Sequence, residues 1–393
     1  MSAVATLTSP WRGLSPAVWI LVTARAVNRI GAFTLPFLGV VLTVEFGTSL
    51  SQTGVILALF GAATIPSRLL GGHLADRLGR RRTIVLGLTG CAVAQTGIAL
   101  SHALWSAVLA TVLLGLAFEI YEPPSQAMIA DVTSPSDRPA AYGLYSAALA
   151  AAGVLAGLLA AAISHVDLRW LFVADALTCL ACAVLVALAL PGDVRRETEE
   201  VVVRSKEASV WRDRRLLLLL ASGTVFATIY MQLVIGVPLT LLEQGLPKSG
   251  TGFILAVSAV TLIIAQRLLR LQQLDDFRAM TVGYVLLGAG LIVIAIAHSL
   301  AIFLLAAVLW SLGDLFLLTR YLTQASGLAP EHARGRYLAV FGLSWGIATT
   351  IAPLTVTQLL DAAGPKGLWL TSAAVAAALA LVQPWLRKRL APA

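Results

Sequence analysis

The sequence has few charged residues for its length. Only 12% of its 393 residues are Asp, Glu, Lys or Arg, whereas 58% are hydrophobic, and the mean hydropathy is +0.86. A soluble domain carries about a quarter charged residues, so that class is excluded. The apolar residues form runs of about 20, long enough to cross a bilayer as helices, and do not alternate as in a membrane β-barrel. The composition therefore predicts an all-α membrane protein.

Cysteine is also scarce, and several catalytic motifs are missing. The three cysteines, Cys91, Cys179 and Cys182, fall within apolar runs, which predicts free thiols and no disulfide framework. The sequence has no Gly-x-x-x-x-Gly-Lys-Ser/Thr loop, which disfavours an ATP-driven pump. It also has no His-Glu-x-x-His and no pair of metal-binding carboxylates within a span. We therefore expect neither an enzyme nor a bound metal or cofactor.

The breaks between apolar runs predict twelve membrane spans. They are expected near residues 15–43, 50–74, 82–101, 103–127, 138–163, 169–190, 215–242, 250–271, 279–297, 299–326, 334–360 and 366–386. The longest stretch without an apolar run follows the sixth span. It predicts a linker at 191–214 between a six-helix half at 1–190 and a second six-helix half at 215–393.

The basic residues indicate the orientation of these spans. With the N-terminus in the cytoplasm, nearly all loop arginines and lysines lie inside, and only Arg169, Lys248 and Lys366 fall outside. Basic loops stay on the cytoplasmic side, so we predict that both termini are cytoplasmic. Because these residues lie in short loops, the net charge of +8 does not indicate a nucleic-acid surface. Residues 1–16 lack the features of a cleaved signal peptide, so the first apolar run should remain as a span.

The two predicted halves share an internal similarity. The turn Pro135–Arg138 and the turn Pro330–Arg334 each precede a tyrosine, and each lies between the fourth and fifth spans of its half. At the same offset Glu119 corresponds to Asp314, so both halves carry an acid at a matching position. These matches favour duplication of one six-helix unit.

A short charged turn between spans 2 and 3 carries the most specific motif, Gly72-His73-Leu74-Ala75-Asp76-Arg77-Leu78-Gly79-Arg80-Arg81. Gly72 and Gly79 permit close approach of backbones, and Asp76 can bind at the N-terminus of a neighbouring helix, where the dipole favours an anion. Such a contact would act as a latch between the halves. The alternative for the flanking arginines is that they only anchor the topology.

This motif resembles the signature of the major facilitator superfamily, and the chain looks most like the bacterial drug:proton antiporter branch. The resemblance implies a major facilitator fold of two six-helix halves and a gating role for Gly72, Asp76, Arg77, Gly79, Arg80 and Arg81. The chain departs from the branch in lacking an arginine in the middle of span 4. It also lacks the proline beside Gly153 and Gly157 of span 5, which retain the small-residue spacing of a helix-packing face.

Charged residues inside the spans are the candidates for a proton or charge relay, because burying a charge in the bilayer is costly. They are Arg25, Arg29, Glu119, Glu122 and Asp314. Arg25 and Glu119 are expected at the same depth, which predicts an ion pair. Glu119, with Glu122, would then accept a proton when the cavity holds no substrate. The alternative is a static buried pair that only orients spans 1 and 4.

Aromatic and polar residues predicted near the midplane are candidates for the substrate cavity. They are Asn28, Tyr121, Tyr145, Phe226, Tyr230, Gln232, Arg320, Tyr321, Gln324 and Trp345. Aromatic rings with a few hydrogen-bonding groups suit amphipathic organic solutes.

The resemblance and these residues together predict a secondary transporter of a small organic molecule, most consistent with efflux in exchange for protons. We expect a monomer that crosses the inner membrane of a bacterium, with substrate, protons and lipid as its partners. One alternative is a proton-coupled uptake symporter or facilitator for a small metabolite. Another is a transporter-like membrane sensor or adaptor.

Overall fold

The fold is built from helices alone within the residues that the computed structural model describes, which are 13–133, 137–190, 210–269, 275–329 and 334–390. The first half contains Pro16–Ile30 and Thr34–Phe46 (span 1), Leu50–Leu78 (span 2), Arg80–Leu100 (span 3), Leu104–Phe118 and Glu122–Asp131 (span 4), Arg138–Ser164 (span 5) and Arg169–Ala189 (span 6). The second half begins with a 3₁₀ turn at Val210–Arg212. It continues with Arg214–Glu243 (span 7), Gly250–Leu269 (span 8), Asp276–Ala295 (span 9), Leu300–Leu328 (span 10) and Arg334–Leu390 (spans 11 and 12).

These helices confirm the predicted class of membrane protein. Ten helical stretches of the described chain are long and apolar enough to cross a membrane, and Gly250–Gln266 is a shorter apolar helix. The stretch Tyr337–Leu390 is 54 residues long and holds two spans, separated at Gly364, whose φ is 65°. The arrangement is consistent with the twelve predicted spans. Residues 191–209 of the predicted linker and most of the two similar turns lie outside the described residues.

The bundle has two ends, which we name by the motif. The motif end carries the turn between spans 2 and 3, and the far end carries the turns between spans 1 and 2, 5 and 6, 7 and 8, and 11 and 12. Exposed tryptophans mark both ends, as expected at the two interfaces of a bilayer. They are Trp105 and Trp170 at the far end, and Trp19, Trp211 and Trp385 at the motif end.

Span 4 is broken where a continuous helix was predicted. Its first helix ends at Phe118, residues 119–121 form a turn, and the second helix begins at Glu122. Pro123 and Pro124 follow directly, and neither has a backbone N–H to donate to the carbonyl four residues earlier. The two prolines therefore end the helical hydrogen bonding at the point where both candidate acids lie.

Span 1 is also broken, between Ile30 and Thr34. Gly31 lies so close to span 6 that a Cβ there would be 2.0 Å from Oγ1 of Thr178. The helix restarts at Thr34, whose hydroxyl donates a hydrogen bond of 2.9 Å to the carboxylate of Asp175 on span 6. The backbone N–H of Phe33 donates to the carbonyl oxygen of Gly31 at 2.7 Å. Asp175 thus lies at the N-terminus of the second helix of span 1, where the helix dipole favours an anion.

Replacing Asp175 with alanine should lower the free energy of unfolding by about 1 to 3 kcal/mol, because the buried hydroxyl of Thr34 would lose its acceptor. Unfolding of the purified protein in mixed micelles, followed by circular dichroism, would measure the change. Asp361→Ala, at an exposed position of the far end, is the matched control. An equal free energy of unfolding for both variants would show that Asp175 does not stabilise the break in span 1.

Within the described chain the two halves pack against each other toward the far end, where span 1 meets span 7, span 5 meets span 8 and span 2 meets span 11. The last two of these contacts are close seams between backbones. In the first, spans 5 and 8 meet so closely that a Cβ on Gly157 would be 2.4 Å from the backbone nitrogen of Ala256. In the second, spans 2 and 11 meet at Gly61, where a Cβ would be 2.3 Å from the carbonyl oxygen of Thr349. This confirms the packing face predicted at Gly157.

The corresponding positions near the motif end are open. A Cβ added to Gly143 of span 5 or to Gly342 of span 11 would have no atom within 4 Å. Leu69, near the motif end of span 2, is 71% exposed. The contacts between the halves are therefore concentrated at the far end in this conformation.

Candidate functional site

A cluster of polar side chains surrounds Arg25 in the first half. Arg25 donates hydrogen bonds to the hydroxyl of Tyr145 (3.1 Å) and to Oδ1 of Asn28 (3.0 Å). It forms an ion pair with Glu122, in which the two side chains are 16% and 21% exposed. The guanidinium carbon lies 5.0 Å from the ring centroid of Tyr121, a cation–π distance. Four of the predicted candidates thus converge on one arginine.

The acidic partner of Arg25 is Glu122, and the predicted pairing with Glu119 is wrong. The prediction treated span 4 as a continuous helix, in which both acids would share a face. The break between Phe118 and Glu122 removes that relation. The backbone N–H of Glu119 donates to Ser67 (3.0 Å), and its carboxylate makes no ion pair with any residue that the structure describes.

A line of hydrogen bonds extends from the Arg25 cluster toward the break in span 1. Asn28, which also accepts from Tyr121 (3.2 Å), donates to Sγ of Cys179 (3.3 Å). Cys179 in turn lies 3.7 Å from Oδ1 of Asp175. All three cysteines are free and buried, as predicted. Composition gave no indication that Cys179 would link two polar groups.

The second half carries a cluster of aromatic rings. Tyr321 stacks on Phe226 with centroids 5.4 Å apart and on Phe341 at 5.9 Å. Its hydroxyl lies 2.6 Å from that of Tyr284. Phe341 and Tyr284 were not predicted, although Phe341 is one helical turn from the predicted Trp345.

Trp345 connects this cluster to Tyr230, which lies nearer the far end. Its ring meets Phe226 edge-on at 6.5 Å and Tyr230 at 5.2 Å. Both Trp345 and Tyr230 are only partly buried. These two rings therefore remain accessible beside the packed stack.

Three of the predicted cavity residues are engaged in hydrogen bonds within the second half. Gln232 donates to Thr355 (3.0 Å) and accepts from Ser372 (2.9 Å), which links spans 7, 11 and 12. Arg320 and Gln324 both donate to Asp276 at the start of span 9, at 2.7 and 2.8 Å. Asp314, six residues before Arg320 on the same span, does not share this partner.

The two remaining charged candidates do not join the Arg25 cluster. Arg29 lies one turn beyond Arg25 but is exposed, and it forms no hydrogen bond or ion pair with a described residue. Asp314 is 5% exposed on span 10, and its Oδ1 has no hydrogen-bond partner among the described residues.

The motif forms a tighter turn than predicted. Span 2 continues to Leu78, so Gly79 alone connects it to span 3, with a φ of 89° that favours glycine. The close approach predicted at Gly72 occurs at Gly71, where a Cβ would be 2.5 Å from the carbonyl oxygen of Ile120. A Cβ on Gly72 would have no atom within 4 Å.

The charged residues of the motif differ in their surroundings. Arg81 donates to the backbone carbonyl of Ala187 at the end of span 6, where a helix C-terminus favours a cation. Asp76 and Arg77 are exposed in this conformation. The predicted latch at Asp76 remains a prediction.

Comparisons with known proteins agree with the fold and the motif. A model of the Major Facilitator Superfamily matches residues 21–274. A Na(+), Li(+), K(+)/H(+) antiporter from Planococcus maritimus is 28% identical, with 82% of this chain and 84% of that protein covered. Multidrug resistance protein MdtH from Cronobacter sakazakii (strain ATCC BAA-894) is 25% identical, with 81% and 80% covered.

Solved structures show the same fold at lower identity. A crystal structure of the peptide transporter POT superposes with a TM-score of 0.81 at 16% identity, and the alignment covers 97% of this chain and 96% of that one. The arrangement of helices is therefore shared with a solved transporter.

Proposed function

The chain belongs to the Major Facilitator Superfamily, and we propose that it is a secondary transporter that exports a small amphipathic organic molecule in exchange for protons. The observation that carries the proposal is the ion pair of Arg25 with Glu122 at the break in span 4. Half-helices and charged pairs near the bilayer midplane are typical of substrate and ion sites in transporters.

Glu122 is the proposed proton carrier, with Glu119 as a second acid in the same turn. A proton on Glu122 would remove the negative charge that compensates Arg25. The guanidinium would keep its hydrogen bonds to Tyr145 and Asn28, and it would be free to attract another anionic group. Proton binding and the geometry of this cluster would therefore be coupled.

The motif end is the cytoplasmic side in this proposal, since it carries most of the basic residues. The structure then represents an inward-open state, because the halves meet at the far end and separate toward the motif end. Transport would proceed by separating the far-end seams and closing the motif end, where Asp76 would serve as a latch. Residues 1–190 and 215–393 would move as the two halves.

The relatives support export and proton exchange without identifying a substrate. One is named as a multidrug resistance protein and another as a cation/proton antiporter. An uptake symporter remains the alternative, and the direction of proton movement distinguishes the two.

Transport in proteoliposomes with an imposed pH gradient tests the proposal. A panel of cationic, neutral and anionic amphipathic compounds should contain at least one that moves against its own gradient, in the direction opposite to protons. Glu122→Gln should abolish this gradient-driven accumulation but keep exchange of substrate between equal pH values, because glutamine resembles a carboxyl group that cannot release its proton. Glu45→Gln, which removes a partly exposed ion pair with Arg169 at the far end, is the matched control.

Two results would contradict the proposal. If Glu122→Gln and Glu119→Gln both accumulate substrate as the wild type does, neither acid carries the coupled proton and the Arg25–Glu122 pair is static. If substrate and protons move in the same direction, the protein is a symporter.

A further inference from the structure

A line of hydrogen bonds begins at the proposed proton site. Arg25, which pairs with Glu122, donates to Oδ1 of Asn28 at 3.0 Å. Nδ2 of the same amide donates to Sγ of Cys179 on span 6 at 3.3 Å. An arginine side chain can only donate, so the amide atom that faces Arg25 is the oxygen and the one that faces Cys179 is the nitrogen. The orientation of the Asn28 amide is therefore determined by Arg25.

The line continues from Cys179 to the break in span 1. The thiol donates to Oδ1 of Asp175 at 3.7 Å, and Oδ2 of that residue accepts from the hydroxyl of Thr34 at 2.9 Å. Thr34 is the first residue of the second helix of span 1. From Arg25 to Asp175 every hydrogen bond points in the same direction, so a change at one end alters the donor that the next group meets.

The groups of this line are shielded from solvent. Asn28 is 7% exposed, Cys179 is 2%, Asp175 is 3% and Thr34 is 2%. A buried polar group that loses its partner costs free energy, because water does not replace the lost hydrogen bond. Cys179 contacts both Asn28 of span 1 and Asp175 of its own span. A residue without a polar side chain at this position would therefore interrupt the line without adding or removing a charge.

The second helix of span 1 connects the break to the far end and to the other half. A Cβ added to Gly39 in this helix would lie 3.6 Å from the side chain of Leu239 on span 7. At the last residue of the helix, the ring centroid of Phe46 lies 5.6 Å from the guanidinium carbon of Arg169. A displacement of the second helix would therefore change a contact between the halves at the end that is closed in this conformation.

We propose that Cys179 is a positioning residue that transmits the protonation of Glu122 to the second helix of span 1 and so to the far end. When Glu122 takes up a proton, it ceases to hold Arg25 as an anion. The amide of Asn28 then loses the donor that orients it, and its hydrogen bond to Cys179 weakens. The inference rests on the proposed proton exchange and adds the route by which the proton acts on the conformation.

Hydrogen–deuterium exchange of the full-length protein in nanodiscs tests this route without a transported substrate. Glu122→Gln represents the protonated state, and peptides that cover residues 31–46 report on the break and the second helix. In the wild-type background Glu122→Gln should speed exchange in these peptides about three- to tenfold, as expected when one hydrogen bond is lost from a local opening equilibrium. In the Cys179→Ala background the same change should have less than about a twofold effect, because the line is already interrupted.

Three further variants separate the hydrogen bonds of Cys179 from its packing. Cys179→Ser keeps one hydrogen to donate and an atom that accepts, so it should retain the response to Glu122→Gln. Cys179→Val fills the space of the thiol without a polar atom and should abolish the response as alanine does. Cys182→Ala is the matched control, because this thiol is equally buried on the same span but donates to the backbone carbonyl of Ala24. It should leave the response at the wild-type value.

Two results would overturn the inference. If Glu122→Gln speeds exchange equally with Cys179, alanine or valine at position 179, the signal does not pass through the thiol. If Glu122→Gln leaves exchange in residues 31–46 unchanged in every background, protonation of Glu122 does not reach the break. Failure of the proposed function is measured separately. Wild-type accumulation of substrate by Glu122→Gln contradicts the proton carrier, whereas an exchange response that survives Cys179→Ala contradicts the route alone.

Discussion

Replacing Gly157 with valine should abolish most transport by forcing the far end of the bundle open. The Cβ of any other residue at this position would lie 2.4 Å from a backbone nitrogen of span 8 and 2.6 Å from the carbonyl oxygen of Gly252. Backbone atoms in packed helices cannot move aside as a flexible side chain can. Overpacking of this kind costs about 1 to 3 kcal/mol, and the upper part of that range applies to contact with backbone.

This overpacking destabilises only the conformation in which spans 5 and 8 are in contact at the far end. A penalty of 2 to 3 kcal/mol would reduce the population of that conformation roughly 30- to 140-fold relative to the open one. Each transport cycle must pass through both conformations, so the initial rate of transport in proteoliposomes should fall by a comparable factor. Gly252→Val should behave alike, because its Cβ would lie 2.2 Å from the backbone nitrogen of Ala161.

Opening of the far end can be measured directly at the seam between spans 2 and 11. Thr357, which is 1% exposed, packs against Gly54 at the same end. A cysteine introduced there in place of Thr357 should react faster with a membrane-impermeant maleimide when Gly157 is valine. Gly143→Val is the matched control, because it lies on the same span but its Cβ would have no atom within 4 Å. Equal labelling rates at position 357 in the Gly157→Val and Gly143→Val proteins would show that packing at Gly157 does not determine whether the far end is closed.

The fold was predictable because it depends on a signal that averages over many residues. A run of about 20 apolar residues is recognisable whether or not its helix is continuous, so hydropathy predicted the spans. The packing role of Gly157 was predictable for a similar reason, since small residues four apart give a flat face wherever they occur.

The breaks in the helices were not predicted, although one had a visible cause. Pro123 and Pro124 end the hydrogen bonding of span 4, but the apolar residues around them concealed this effect in a hydropathy profile. The partner of Arg25 was predicted incorrectly for the same reason, because depth along a continuous helix no longer applies beyond the turn at 119–121. Prolines inside a span should therefore be considered before the depths of charged residues are compared.

Contacts between distant spans could not be predicted from the sequence. Gln232, Arg320 and Gln324 have the polarity of cavity residues, yet each is bound to a partner more than 40 positions away in the chain. Nothing in their own spans indicates which neighbour they will meet. Conversely, that Oδ1 of Asp314 has no hydrogen-bond partner within the described chain becomes visible only in the folded structure.

Removing Arg25 should have the largest effect on stability of any single change in the first half. Arg25→Gln would remove the cation that pairs with the carboxylate of Glu122, in a position where both side chains are largely buried. Breaking a buried pair by removing one partner costs about 3 to 5 kcal/mol. Glutamine is too short to keep all the contacts to Asn28 and Tyr145, so their hydrogen bonds would weaken as well.

A double-mutant cycle separates the ion pair from these other contacts. The free energy of unfolding would be measured in mixed micelles for Arg25→Gln, Glu122→Gln and the double variant. Because the double variant has no unpaired charge, it should be more stable than the sum of the two single changes predicts, by about 1.5 kcal/mol or more. The partly exposed pair Arg169 and Glu45 is the control, and its coupling should not exceed about 1 kcal/mol.

Together with the transport assay in proteoliposomes, the double-mutant cycle also distinguishes a proton carrier from a static pair. Strict additivity of the Arg25 and Glu122 changes would mean that the two groups do not stabilise each other, and the pair could not act as the coupled site. A large coupling energy together with normal gradient-driven transport by Glu122→Gln would identify a structural pair that only holds spans 1 and 4 together. A large coupling energy with exchange retained and gradient-driven accumulation lost requires that the bond between these two side chains changes during the cycle. That combination is the one expected of a proton that binds Glu122 and releases Arg25 during the cycle.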